Sequence, residues 1–493
     1  MSQSWSESRG LSQGSAAFVV VVVLTLARFA IAPIVPLAYD EAYYWRWSIY
    51  PEFGYFDHPP LVAWMVGLGT SIAGNNEFGV RLIPLALSIP TSWAVWRSAA
   101  ILFGDARLTM TALVFFNVML ITSVGMVLAT PDAPLVFASA ILLLCLTKVT
   151  ETGRPFWWIA AGIAVGIGCL AKFTALFWLP SIFLWLVLTP QMRPWLRTPW
   201  PWAGAVVAIL VFFPNLVWNA TNDWATFAKQ FGRVAADGFA PEYLIEHLGT
   251  EIGMATPLIF VLGWLGLSAF LTRRGGSRRA RVLLLALILP MSIYFIYHAT
   301  HSRVEGNWTG AIFPAFALAA AAALHHAEWY GGVRRLVELA RTYAVPAGVV
   351  VVAAIYSQTF LGWAPLTAWD PTASRIGAGI EAVAEEVETI RRSQNATLVV
   401  TDGYPMTGWL SFYSPSQPAL VYQYNERERW VQEPPISPEI LAGPVLAVLL
   451  EGDSVVAIEA EFGPAQELAI IVRRRGNLII ARYAVYRLPG LAD

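Results

Sequence analysis

Two adjacent carboxylates open the run Tyr39-Asp40-Glu41-Ala42-Tyr43-Tyr44-Trp45-Arg46-Trp47. A second acid and an imidazole follow in Gly54-Tyr55-Phe56-Asp57-His58-Pro59-Pro60-Leu61, and a third acid stands between prolines in Thr130-Pro131-Asp132-Ala133-Pro134. Carboxylates suit deprotonation of an incoming hydroxyl or amine. They also suit capping of a helix N-terminus, which is the plainer reading of Asp40, Glu41 and Asp132 taken one at a time. Two cations, Lys172 in Leu170-Ala171-Lys172-Phe173 and Arg303 in Thr300-His301-Ser302-Arg303, suit a phosphate leaving group. As interfacial residues they would simply snorkel. His298 and His301 stand three apart and are weak candidates for a divalent metal. Aromatic side chains such as Tyr43 and Tyr55 suit the walls of a sugar or polyprenyl site.

The elements that must position these residues are membrane spans. Of 493 residues, 57% are hydrophobic and only 13% charged, with 22 Trp and 26 Phe. This excludes a disordered chain, a disulfide scaffold and an ordinary cytosolic enzyme. A net charge of -1 offers no basic face for nucleic acid. Cys145 and Cys169 lie in apolar runs and read as small core residues. Runs long enough to cross ~30 Å of hydrocarbon fall at about 16–36, 79–103, 107–127, 134–149, 155–171, 173–189, 200–219, 254–272, 282–299, 309–327 and 344–363. The shorter run 59–74 follows Pro59-Pro60 and reads as a surface or re-entrant helix. The reading is a polytopic α-helical membrane protein of about 11 spans.

Eleven spans place the termini on opposite sides, and basic residues orient them. Alternate connecting segments beginning with 1–15 carry 14 Lys and Arg against 5 on the other set. The N-terminus is therefore expected in the cytoplasm of a multi-pass inner (plasma) membrane protein, and the tail outside it. Twelve of the 17 acids before the tail fall on the outer side. Residues 364–493 hold 26 of the chain's 65 charged residues, so the chain divides into a transmembrane domain 1–363, with an outer loop 37–78, and a small extracytoplasmic α/β domain 364–493. In the tail, helical spacing covers 375–392 and 404–413. Strands are expected at 397–401 and near 419–424, 444–450, 468–473 and 477–487. The tail shows no acid–cation constellation comparable to the first loop, so it is expected to serve acceptor recognition or stability.

The first-loop motifs, Thr130-Pro131-Asp132-Ala133-Pro134 and Asn307-Trp308 together resemble the GT-C membrane glycosyltransferases. The likeness is to the bacterial branch of the dolichyl-phosphate-mannose–protein mannosyltransferase family, related to the aminoarabinose transferase of lipid A, over about residues 16–330. The resemblance implies an extracytoplasmic site, a polyprenyl-phosphate sugar donor and displacement with inversion. The acceptor would be lipid A or core, another envelope glycan, a glycolipid or a protein, with membrane lipids around the site. It implies Asp40 as general base and Asp132 as a second site acid; Glu41, beside Asp40, is the third catalytic candidate. Asp57, His58, Lys172, Arg303, Tyr43, Tyr55 and Asn307 are the substrate-binding candidates. Asp57 falls where the aminoarabinose transferases have a metal-associated Glu, and Lys172 where they have a lysine near the donor phosphate. His58 stands in place of another Lys, and Tyr43 in place of an Arg. The 227–233 segment has no His to match their metal-binding one. The rival reading, a lipid or sugar transporter or flippase, would favour internal repeats and midplane polar residues. Here polar residues gather at the outer edge.

Overall fold

The computed structural model describes residues 2–232, 238–364, 366, 370–417 and 420–491, the side chains from residue 16 onward. Arg233, counted among the outer-side cations, lies outside the described residues. Each of the eleven apolar runs contains helix. Five helices are long and apolar enough to cross a membrane unbroken: Glu77–Phe103, Asp132–Thr152, Trp200–Thr221, Arg278–His298 and Gly331–Leu361. A sixth candidate is the pair Glu242–Ala255 and Pro257–Leu271, bent by 101°. The remaining runs are shorter helices or broken ones. The run 107–127 stops at Val118 and resumes as Leu120–Ser123. The run 173–189 begins as a 3₁₀ segment, Phe173–Phe177, before Trp178–Leu188. The run 59–74 is the helix Leu61–Ala73. The expectation of eleven full-length spans is thus met by helices in every run, but not by full-length helices.

The chain forms two compact units. The first comprises 1–30, 57–62 and 83–353. Small residues let its helices touch backbone to backbone: a Cβ at Gly162 would collide with the carbonyl of Gly204, and one at Gly266 with that of Ala319. Such contacts join apolar helices where no hydrophobic drive exists between them. Arg28 lies buried within the first apolar helix, where a charge is costly. Its Nη2 donates to Asn117 Oδ1 at 2.7 Å, and Ser92 Oγ donates to the same oxygen at 3.2 Å. Asp105 caps the helix Ala106–Val118 by accepting from the backbone of Arg107 and Leu108.

The second unit comprises 31–56, 63–82 and 354–493. Its sheet has five strands: β1 Leu398–Thr401, β2 Val421–Gln423, β3 Val445–Leu450, β4 Gln466–Arg475 and β5 Leu478–Leu488. The order is β2-β1-β3-β5-β4. β1 runs parallel to β2 and β3, while β5 runs antiparallel to β3 and β4. Leu398, Val400, Val445, Ala447, Leu449, Ile458, Phe462 and Leu488 form its apolar core. The helix expected over 375–392 runs from Ile380 to Ser393, because Gly379 holds φ 75° at its start. The helix Tyr404–Tyr413 opens after β1 and approaches the first-loop helix Tyr39–Ile49 closely. A Cβ at Gly408 would lie 2.9 Å from Tyr43 N.

Candidate functional site

The second unit holds Asp40 and Glu41 of the first loop, and it treats them differently. Glu41 is fully buried and paired with the fully buried Arg81. Arg81 Nε donates to Glu41 Oε1 at 2.8 Å, and Arg81 Nη1 donates to Ala32 O at 2.8 Å. Glu41 Oε2 also accepts from Ala38 N at 2.9 Å. Glu41, expected among the catalytic acids, is thus held by a buried guanidinium and by the amide that opens its helix. Asp40, one position earlier, is half-buried, and its Oδ1 accepts from Tyr404 Oη at 3.3 Å. Its helix is tied to the C-terminal residues further along. Arg46 Nη1 donates to Ser411 Oγ at 2.8 Å, Arg46 Nη2 donates to Glu433 Oε2 at 2.7 Å, and the guanidinium lies 4.6 Å over the Trp430 ring.

Around Asp40 the aromatic run has become a packed wall. The Tyr43 ring lies 4.6 Å from Trp47, 4.8 Å from Tyr404 and 5.1 Å from Trp430. Tyr55 stacks on Trp47 at 4.3 Å. Tyr55 is wholly buried, and its hydroxyl donates to the carbonyls of Trp47 and Tyr50. Burial raises its pKa, so it stays a neutral donor. Tyr55, a substrate-binding candidate, lies on the inner side of this wall, stacked on Trp47. The tail, expected to stand apart from the chemistry, supplies the hydroxyl on Asp40. Sequence reasoning missed Tyr404, Arg429 and Trp430. The available signal was position: Tyr404 follows Asp402-Gly403 at the C-terminal end of a parallel strand, where α/β sheets place their ligands.

The first unit gathers a second cluster. Asp132 opens the helix Asp132–Thr152 and is buried. Its Oδ1 accepts from Lys172 Nζ at 2.8 Å and its Oδ2 from Asn307 Nδ2 at 2.6 Å. Lys172 is buried at the C-terminal end of the helix Phe156–Ala171. Three residues distant in sequence thus form one buried acid–cation group. Two positions after Asn307, Thr309 Oγ1 donates to Glu251, also buried. Asp57 is buried and His58 half-buried, and Gln230 Nε2 donates to the Asp57 carbonyl. Arg303 is different: its side chain is 57% exposed and Nε donates to Glu246 Oε1 at 2.8 Å. Glu246 raises its pKa, so it remains a guanidinium, already engaged by an acid at the surface.

The weak metal candidates do not come together. Among the described residues no group of three His, Cys, Asp or Glu side chains converges. His298 is buried with its ring stacked on Tyr294 at 5.8 Å and near Trp308, while His301 Nδ1 contacts Thr300 Oγ1 at 2.8 Å. As placed, these residues do not fit a metal.

A family described as dolichyl-phosphate-mannose-protein mannosyltransferase matches residues 57–218. The chain is 25% identical over 299 residues to the lipid A galacturonosyltransferase RgtD of Rhizobium johnstonii, covering 60% of this chain and 62% of that protein. It is 24% identical to an undecaprenyl phosphate-α-4-amino-4-deoxy-L-arabinose arabinosyl transferase of Pseudomonas fluorescens, over 49% of this chain and 45% of that one. The chain thus spans less than two thirds of the length of these curated relatives. In fold it matches the crystal structure of ArnT from Cupriavidus metallidurans bound to undecaprenyl phosphate, with TM-score 0.65 and 15% identity, over 96% of this chain and 98% of that one. In sequence over part of its length, and in fold over nearly all of it, the chain resembles the GT-C membrane glycosyltransferases.

Proposed function

We propose that the chain transfers a sugar from a polyprenyl-phosphate donor to an acceptor on the outer side of the inner membrane. The observation that carries this reading is the half-buried carboxylate of Asp40, held by a tyrosine hydroxyl inside an aromatic wall. In this reading the Asp40 carboxylate takes the proton from the acceptor hydroxyl or amine. The acceptor oxygen or nitrogen bonds to the anomeric carbon as the bond from that carbon to the phosphate oxygen breaks. Attack from the opposite face inverts the configuration, and the electron pair leaves with the polyprenyl phosphate. Lys172 neutralises the departing phosphate, with Asp132 and Asn307 fixing the ammonium and its surroundings. A buried cation on a charged leaving group strengthens as the transition state forms. Asp57 and His58 line the donor or acceptor, while Tyr43 contributes to the wall.

The names of the relatives support a lipid-linked donor and put lipid A first among acceptors to be tested. The two-domain division and the N-in, C-out orientation belong to the same reading. The test is mass spectrometry of envelope glycolipids and glycoproteins from cells with the wild-type protein, with Asp40→Asn and without the protein. One sugar present only with the wild-type protein supports transfer. Identical profiles in all three refute it.

A further inference from the structure

We infer that Tyr404 and Arg429, both from the C-terminal part of the chain, are positioning residues for the Asp40 carboxylate. This rests on the proposed role of Asp40 and extends it to Tyr404, 364 positions away, and to Arg429 beside the Tyr404 ring. Tyr404 has one hydroxyl proton, and Asp40 Oδ1 lies 3.3 Å from that oxygen. A hydrogen bond donated to a carboxylate favours its charged form and narrows its orientation. The ring that carries the hydroxyl is gripped by its neighbours. Tyr43 lies 4.8 Å from it, Tyr39 meets it edge-on at 5.9 Å, and the Arg429 guanidinium sits 4.9 Å over it. Arg429 is itself buried, with Nε donating to Glu426 Oε2 at 2.7 Å and its guanidinium 5.5 Å from the Phe56 ring. A cation over a phenol ring draws electron density from the oxygen, which makes the O–H a stronger donor.

The backbone is arranged for the same contact. Gly408 lets the Tyr404–Tyr413 helix lie against the backbone of Ala42 and Tyr43. Trp409 Nε1 donates to Leu37 O at 3.0 Å and Tyr413 Oη accepts from Leu37 N at 2.7 Å, pinning the chain just before Asp40. Rigid support of this kind holds a reacting group within the tolerance that chemistry needs.

The test uses the full-length protein at matched membrane levels in cells lacking their own copy. Three quantities are read: the rate at which the transferred sugar appears on envelope glycoconjugates, binding of undecaprenyl phosphate alone by native mass spectrometry, and the unfolding temperature. Tyr404→Phe keeps the ring and removes only the hydroxyl. It is expected to slow transfer about tenfold, as loss of a hydrogen bond to a charged group implies, with undecaprenyl phosphate binding and unfolding unchanged. Arg429→Gln is expected to slow transfer about threefold in the same pattern. Tyr404→Phe combined with Asp40→Asn is expected to be no slower than Asp40→Asn alone, since the hydroxyl acts through that carboxylate. Wild-type transfer by Tyr404→Phe alongside an inactive Asp40→Asn overturns this inference and leaves the base assignment intact. Wild-type transfer by Asp40→Asn overturns the base assignment, and this inference with it.

Discussion

Asp40 and Glu41 are chain neighbours whose carboxylates meet different partners. Both Glu41 oxygens are held by Arg81 and the Ala38 amide in a fully buried pair. Removing one charge from such a pair leaves the other uncompensated and costs about 3–5 kcal/mol. Glu41→Gln is therefore expected to lower the unfolding temperature clearly while the surviving folded protein keeps its turnover. Asp40→Asn is expected to do the reverse: near-normal unfolding, with transfer reduced by about 10²–10⁴-fold, the usual contribution of a general base. Thermal unfolding and transfer measured on the same two preparations check both. A further contrast separates the two outer-side cations. Lys172→Ala removes a buried ammonium and is expected to weaken undecaprenyl phosphate binding by at least about tenfold. Arg303→Ala removes an exposed, acid-paired guanidinium and is expected to change binding less than about twofold. Equal effects from the two variants would refute the division. The first-loop acids were legible because they crowd into one short segment beside a span. Lys172 and Asn307 were legible as single residues. Their convergence on Asp132 was not, because contacts across 40 and 175 positions leave no local pattern.

Helices and strands were readable where period and punctuation agree. The helix Tyr404–Tyr413 and strands β1 to β5 lie within a few residues of the expected bounds, since each is a short apolar run between turn residues. Helix breaks inside the apolar runs were not readable. The backbone turns at Met119, which takes φ -56° and ψ 140°, within a stretch whose composition is uniformly apolar. Composition reports burial in lipid or protein, not the hydrogen bonds that bend a helix. One element-level contact is open to test. Asp370 caps the turn Pro371–Ser374, accepts from Gln358 Nε2 at 2.6 Å and from Arg475 Nη2 at 2.7 Å, and joins the last long helix to β4. Burial alone would raise its pKa, but hydrogen bonds from Thr372, Arg475 and Gln358 outweigh it and hold the carboxyl below the ordinary aspartate value. A carboxylate with a depressed folded pKa contributes stability above its unfolded pKa and loses it as pH falls through the folded value. Asp370→Asn is expected to destabilise the protein near neutral pH. The gap to wild type should close only below about pH 4, the ordinary carboxylate range. Unfolding temperatures of both proteins from pH 3 to 7 check this, and a gap independent of pH would refute it.

At the scale of the whole chain, the second unit draws residues from the first loop and from the C-terminal part together. The tail's side of the membrane is therefore also the side of Asp40. The basic asymmetry of 14 against 5 predicts which side that is. Cys145 and Cys169 are both buried, so a variant lacking them is a clean background for labelling. Ser393 is exposed at the end of the helix Ile380–Ser393, and Ser277 is exposed beside the arginine-rich segment Arg278–Arg281. With the outer membrane opened and the inner membrane intact, Ser393→Cys is expected to react with a membrane-impermeant maleimide. Ser277→Cys is expected to react only after the inner membrane is breached. The opposite pattern would put Asp40 and Tyr404 in the cytoplasm, away from acceptors on the outer leaflet, and the transfer reading would fall. Reaction of both in intact inner membranes would instead refute the three crossings expected between Ser277 and Ser393, because the two would share a side.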